Sequence, residues 1–234
     1  MPIIQSDEWA MLFLRKKNEL MLRNVLTISL EKYCRDNDLP SEVMALHEFE
    51  KHDVAIVERR MSKQTYKYIS NTLIELKFTD AYWIILKNNH TDFLRNENLR
   101  QDNIWRENYQ LRNPPGNEKG IKYDLLKLLE KKKDNPTIAI HHVLALVNPS
   151  HEIDGKYKSI VNDLGEKNKC IRDYSDHHAV FDQAVNILKK QLKIIQNKYL
   201  DEREFEINST STFLGSAYGT NVYLGFVVIS ENHK

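Results

Sequence analysis

An unbroken helical repeat near the C-terminal end limits the folds open to this chain. Apolar residues recur there at spacings of three and four, whereas the opposite face carries several lysines. This pattern predicts an amphipathic helix that must bury one stripe against other elements. The stripe consists of Phe181, Ala184, Val185, Leu188, Leu192, Ile195 and Tyr199.

Comparable spacings predict helices along most of the remaining chain. The 234 residues include 7 glycines and 6 prolines, and so few helix breakers favour long helices over many short strands. Residues 137–147 are apolar nearly all round and predict a buried central helix, with a strand as the alternative. The other predicted helices span residues 7–34, 41–60, 63–96, 101–111, 118–133 and about 157–171.

The C-terminal tail differs from the helical part of the chain. Residues 205–214 and 221–229 are rich in Thr, Val, Tyr, Phe and Ser and predict two strands around a Ser-Ala-Tyr-Gly turn. The clearest break elsewhere is Asn113-Pro114-Pro115-Gly116, which cannot continue a helix. The sequence therefore predicts a mainly α protein: an N-terminal helical region over residues 1–112, an up-down helical bundle over 117–202, and a β-hairpin with tail over 203–234.

Charge and cysteine content limit the possible ligands and the cellular compartment of the chain. Lys and Arg total 34 against 33 for Asp and Glu, which argues against a generally cationic nucleic-acid binder but permits a local basic patch. Cys34 and Cys170 are far apart without metal-ligand spacing, as expected for free thiols in a reducing compartment. We expect no signal peptide, no membrane span, and therefore a cytoplasmic location.

The segment from Ile171 to His178 carries the sharpest cluster of reactive side chains. Arg172 stays protonated and can bind an anion, whereas His177 titrates near neutral pH and can act as a general acid or base. Asp173 lies four residues before His177, so within a helix it can pair with the imidazole. An Arg and a His converging on a phosphodiester suffice for metal-independent RNA cleavage through the ribose 2′-hydroxyl.

Arg172, Asp173 and His177, with three residues between the last two, resemble the signature of HEPN domains. The resemblance covers about residues 118–200 and implies a helical bundle with the motif near the start of its last core helix. It further implies that Arg172 and His177 are catalytic, that Asp173 supports them, and that the cleft forms in a homodimer. Many such proteins are metal-independent ribonucleases of toxin–antitoxin, abortive-infection and other antiviral defence systems. Ala179 stands where some toxins carry a tyrosine, so regulation through that tyrosine does not carry over.

Other interpretations of the same residues stay open. His178 is an alternative to His177 as the matching histidine, and in a purely structural interpretation Arg172 pairs with Asp176 on the surface. The doublets His141-His142 and His177-His178, with His151 and Glu152, are an alternative metal site. The segment His47–Asp53 holds several acid/base groups at a spacing that matches no mechanism and is typical of a solvated helix face.

The leading hypothesis is thus a HEPN-like endoribonuclease without metal or cofactor. Its expected partners are an RNA substrate, a second copy of the chain, and an antitoxin or partner protein. The competing hypothesis is a non-catalytic helical module for protein–protein interaction, built on the tail hairpin or the tryptophan-bearing helices.

Overall fold

The architecture comes from a computed structural model of the chain. It describes residues 6–14, 19–62, 65–81, 84–85, 121–151, 153, 155–157, 176–199 and 203–232. These residues form a six-stranded mixed sheet with helices on both faces, an α/β fold. The strands span Val43–His47 (β1), Val54–Ser62 (β2), Thr65–Asp80 (β3), Ala139–Pro149 (β4), Phe205–Ala217 (β5) and Thr220–Glu231 (β6). Their order across the sheet is β1-β2-β3-β4-β6-β5.

Four α-helices cover the two faces of the sheet within the described ranges. The helices span Ser6–Leu14 (α1), Glu19–Asp36 (α2), Ile121–Asp134 (α3) and His177–Tyr199 (α4), and short 3-10 turns occur at Phe49–Lys51 and Gly155–Tyr157. Helices α1 and α2 supply Phe13 and Leu22 to an apolar cluster on one face. Helices α3 and α4 supply Leu125 and Leu188 to the larger cluster on the other face. No helix in the described part of the chain combines the length and apolar character required to cross a bilayer.

Strand β4 is the centre of the sheet. It runs parallel to β3 and antiparallel to β6, and nearly all of its residues are buried. Its successive side chains enter opposite clusters, Leu144 beneath α3 and α4 and Ala145 beneath α1 and α2. A strand covered on both faces reads as a continuous apolar run rather than an alternating one, which explains the composition of this segment.

Helix α4 lies against the sheet at a glycine. A Cβ atom added to Gly225 of β6 would lie 1.9 Å from Cε2 of Phe181, so the ring occupies the space that any other side chain would need. Residue 225 therefore has to be glycine for α4 to approach the sheet this closely.

The prediction of a mainly α, all-helical bundle is wrong, and so is the bundle implied by the HEPN resemblance. Residues 41–60 form β1 and most of β2, and residues 65–80 of the predicted third helix form β3. Strand β3 places Leu73 on the α3 side and Leu76 on the α2 side. Apolar residues on both faces of a strand can mimic a three-and-four spacing, and here they did.

Other predictions from the sequence are confirmed. Helices occupy much of residues 7–34, 118–133 and 181–199, and the alternative of a strand over 137–147 is correct. The two C-terminal strands are present, but they continue the large sheet beside β4 instead of forming a separate hairpin. The Asn113–Gly116 break lies outside the described residues. Along the chain β3 precedes the break and β4 follows it, and the two strands are neighbours in the sheet.

Candidate functional site

A notch in the sheet lies where β2 begins beside the middle of β3. The β2–β3 ladder starts at the pair Val54 and Ile74, whereas β3 continues to Asp80 alongside β4 only. Asp53 immediately precedes β2, and its Oδ2 accepts a hydrogen bond from the backbone N–H of Leu76 at 2.8 Å. The side chain of Asp53 thereby replaces the missing strand partner and is fixed at the edge of the notch.

Glu75 is a buried carboxylate one residue away from that backbone contact. Its side chain is 5% exposed and lies on the α3 face of the sheet, in register with His142 of β4. Nδ1 of His52 donates to Oε1 of Glu75 at 2.6 Å, and Nζ of Lys127 on α3 lies 2.5 Å from the same oxygen. A buried carboxylate requires such partners because an unpaired one would be strongly destabilising.

Lys77 lies two residues further along β3, on the same face as Glu75. Its ammonium is 3.1 Å from Oδ2 of Asp124 on α3 and 3.5 Å from Oε1 of Glu19 at the start of α2. The side chain is 29% exposed, so solvent reaches part of it. Nε2 of His142 donates to Oδ2 of Asp124 at 3.1 Å. Asp124, which holds Lys77, is therefore also bound to β4.

The start of α2 closes the opposite side of the notch. The guanidinium of Arg23 lies 3.3 Å from Oδ1 of Asp53 and also contacts Glu48. Among the described residues, the buried Nε2 of His52 and Nδ1 of His142 have no hydrogen-bond partner. The nitrogen of each imidazole that faces the carboxylate therefore carries a proton.

The surroundings in the notch shift the pKa values of Asp53 and Lys77. Burial raises the pKa of Asp53, and the neighbouring charge of Glu75 acts in the same direction, against the Leu76 N–H, Lys77 and Arg23. Burial alone would lower the pKa of Lys77, but the charges of Asp124, Glu19 and Asp53 outweigh it and raise the pKa above its usual value. Two adjacent carboxylates beside a protonated lysine are thus held together in a partly covered site.

Asp53 and Glu75 are suited to binding a hard divalent cation. No group of three or more His, Cys, Asp or Glu side chains within the described ranges is placed to hold a metal ion. Magnesium nevertheless requires fewer protein ligands, because it commonly binds through one or two carboxylates and keeps several waters or substrate phosphates. The side chain of Asp53 is 16% exposed, so an ion bound to it would remain accessible to substrate.

Of the residues expected to be catalytic, the structure describes only His177, which lies outside the notch. Arg172 and Asp173 are outside the described residues. His177 is the first residue of α4, and its ring stacks on Tyr223 of β6 with centroids 3.5 Å apart. Burial lowers the pKa of His177, as does the neighbouring His178, and Asp176 opposes them. The helix is capped by Asp176, whose Oδ1 accepts hydrogen bonds from the N–H groups of His178 and Ala179.

The histidine doublets are separated by the fold. His142 is buried against Asp124, whereas Nδ1 of His141 lies 2.7 Å from Oγ of Ser230. His151 lies beyond the far end of β4, where its Nδ1 contacts Ser150. Glu152, the remaining member of the predicted alternative metal site, lies outside the described residues. Within the described part of the chain this metal site receives no support.

Sequence reasoning mentioned His52 and Asp53 only as part of a segment, His47–Asp53, that it interpreted as a solvated helix face, and it missed Glu75 and Lys77. The available signal was a carboxylate and a lysine inside the apolar run Leu73-Ile74-Glu75-Leu76-Lys77-Phe78. Charges two apart in such a run share one face only in a strand, whereas the spacing predicts a helix for this segment.

Comparison of this chain with protein-family models, with curated proteins and with solved structures finds no match.

Proposed function

We propose that this protein is a magnesium-dependent nuclease that hydrolyses phosphodiester bonds in the notch between β2 and β3. The observation that carries the proposal is the convergence of Asp53, Glu75 and Lys77, held by three contacts from the flanking helices and strands. Their arrangement places two anionic ligands for a metal ion beside a cation that can face the substrate.

Each member has a separate role. Asp53 and Glu75 would hold the ion, which would supply Lewis-acid stabilisation of charge on the phosphoryl oxygens. Lys77 donates to the oxygen that gains negative charge in the transition state, and Asp124 keeps the amine in position from 3.1 Å away. Lys127 and His52 fix Glu75 in one rotamer, so that both carboxylates remain aligned without rearrangement.

The reaction uses water as its second reactant. The water oxygen bonds to phosphorus, the bond from phosphorus to the leaving oxygen breaks, and one proton of the water ends on that oxygen. The products are a phosphate monoester and a free hydroxyl, without any oxidant or covalent enzyme intermediate. The sequence contains no Gly-rich phosphate loop, which makes a nucleoside triphosphate a poorer candidate substrate than a nucleic-acid backbone.

The test is cleavage of labelled DNA and RNA by the purified full chain in magnesium and in EDTA. We expect cleavage only with magnesium, and a loss of at least about 100-fold in Asp53→Asn and in Glu75→Gln. Asp182→Asn, which removes an exposed carboxylate from α4, is the matched control and should cleave like the wild type. Calorimetric titration with magnesium should show binding to the wild type and the control, and weaker binding to both site variants.

Cleavage that survives EDTA, or that is unchanged in both site variants although they fold, would overturn the proposal. The metal-independent ribonuclease with Arg172, Asp173 and His177 remains a prediction that this assay also tests. An RNA substrate, a homodimer, an antitoxin partner, the interaction module and a cytoplasmic location likewise remain predictions.

A further inference from the structure

The ribbon formed by the outer ends of β2 and β3 exposes several large side chains. We name residues 57–62 and 65–70 the β-ribbon. Three of its large side chains are among the most exposed apolar or aromatic residues described: Met61 at 80%, Tyr66 at 61% and Tyr68 at 40%. Large side chains left together in water on one element point to a binding surface.

The β-ribbon is also locally basic in a chain that is almost neutral. It contains Arg59, Arg60 and Lys67 but only one acidic residue, Glu58. Glu58 accepts two hydrogen bonds from Arg60 at 2.7 and 2.9 Å, and both side chains are accessible to solvent. Such a pair contributes little and can exchange for a phosphate.

The strand register places the aromatic residues on the same face as the notch. Arg59 lies opposite Tyr68 and Met61 opposite Tyr66, so these four side chains share one face. Along β2 this face continues through Val57 and Ala55 of the α3-side core, and Glu75 of β3 lies on the same side of the sheet. Two contacts agree with the register, because Arg59 lies 4.8 Å above the Tyr66 ring and Tyr68 packs edge-on against Phe49.

The dimensions suit a nucleic-acid duplex. From Asp53 to Met61 the strand rises about 26 Å, which is less than the roughly 34 Å of one turn of B-DNA. The major groove of B-DNA admits a two-stranded β-ribbon, whereas the major groove of A-form RNA is too narrow and deep for side chains to read. One duplex could therefore contact the β-ribbon and the notch together.

We infer that the β-ribbon docks double-stranded DNA through its major groove and delivers a backbone phosphate to the notch. Met61, Tyr66 and Tyr68 would face the base edges together with Arg59. Arg60 and Lys67, which pair with each other on the opposite face, would reach the phosphates at the rims of the groove. The inference rests on the proposed nuclease function for its second part only, because docking by the β-ribbon does not require cleavage.

The test compares two triple variants with the same change in net charge. The ribbon variant is Arg59→Ala, Arg60→Ala and Lys67→Ala, and the control is Lys189→Ala, Lys190→Ala and Lys193→Ala on the exposed face of α4. Binding of a labelled 30-base-pair DNA duplex is followed by fluorescence anisotropy in EDTA over a range of salt concentrations. Single-stranded DNA and duplex RNA of the same length are measured in parallel.

We expect the ribbon variant to bind duplex DNA at least about tenfold more weakly, with a smaller salt dependence, since each lost phosphate contact removes about 0.9 from the slope. The control should bind like the wild type, and the wild type should prefer duplex DNA to the other two ligands. Equal binding by ribbon variant and control, or a preference for single strands or duplex RNA, would overturn the inference.

Hydrolysis of the small diester bis(p-nitrophenyl) phosphate separates this inference from the proposed function. The ester needs no docking surface, so the ribbon variant should hydrolyse it at the wild-type rate with magnesium. If the wild type fails to hydrolyse the ester or DNA while the β-ribbon still determines duplex binding, the nuclease proposal fails and the docking surface stands.

Discussion

The notch and the start of α4 both contain histidines and carboxylates, yet they use them in opposite ways. In the notch, His52 follows the 3-10 turn Phe49–Lys51 and Glu75 belongs to β3; both are buried and share one network with Lys127 of α3. At the start of α4, Asp176 caps its own helix and His177 stacks on Tyr223. The notch therefore depends on tertiary contacts between charged groups, whereas the helix start depends on a local cap and an aromatic neighbour.

This difference shows where chemistry is to be expected. A network that holds charges in a partly covered site provides the fixed electrostatics that catalysis uses. A local cap satisfies free N–H groups of a helix and requires no ligand. Substitutions in the two regions should accordingly have unequal effects on activity, stability and pH dependence.

The largest expected effect separates the two regions by activity. Lys77→Met should lower magnesium-dependent DNA cleavage by about 10²–10³-fold, because it removes the cation beside the reacting phosphate. His177→Ala should change the rate by less than about twofold, since the ring is stacked on Tyr223 outside the notch. Rates from single-turnover gels measure both, with Lys189→Met as the folding control. A large loss in His177→Ala alone would reverse the comparison and favour the Arg172/His177 site.

The next effect concerns how α4 is held. Gly225→Ala should destabilise the protein by about 1–3 kcal/mol, because the new methyl group would occupy the space of the Phe181 ring. Urea denaturation followed by circular dichroism measures the change. Adding Phe181→Leu to Gly225→Ala should recover part of the loss, whereas Phe181→Leu alone should destabilise. An unchanged midpoint in Gly225→Ala would show that α4 does not rest on this contact.

A smaller effect concerns the pH dependence of the notch. Burial raises the pKa of Asp124, but the hydrogen bond from His142 and the charge of Lys77 outweigh it, so the pKa lies below its usual value. An acid with a lowered pKa in the folded state stabilises the protein above its unfolded pKa and loses this contribution as pH falls through the folded value. The stability gap between wild type and Asp124→Asn should thus be full above about pH 4 and shrink below it.

Urea unfolding at several pH values between 3 and 7 tests this expectation. Asp182→Asn on the exposed face of α4 provides the control and should run parallel to the wild type. A gap for Asp124→Asn that stays constant down to pH 3 would mean that its carboxylate is not stabilised by His142 and Lys77.

The smallest effect lies at the helix start. The pKa of His177 should lie below the usual 6.5, and Asp176→Asn should lower it further, because the negative charge that opposes the shift is lost. An asparagine still accepts hydrogen bonds at the cap, so the helix should remain intact. NMR titration of the His177 ring protons measures the midpoint in both proteins. A midpoint that rises in Asp176→Asn would contradict the assignment of these neighbours.

The sequence predicted those parts whose pattern refers to a single element. The stripe through Phe181 and Leu188 is long and regular enough to specify a helix, and the Thr- and Val-rich tail specified two strands. Residues 43–80 were mispredicted because their apolar residues serve two faces of a sheet, and a single sequence does not state how many faces are covered.

The candidate site, too, is only partly apparent from the sequence. The local sequence identifies His52 and Asp53 as neighbouring ionisable residues, and it records Glu75 and Lys77 as two charges within an apolar run. Their convergence arises only from tertiary structure, because Asp53 and Glu75 are 22 positions apart and meet through the register of β2 with β3. Spacing along the chain reports on neighbours within one helix or strand, whereas strand pairing and helix docking bring together residues that no local period connects.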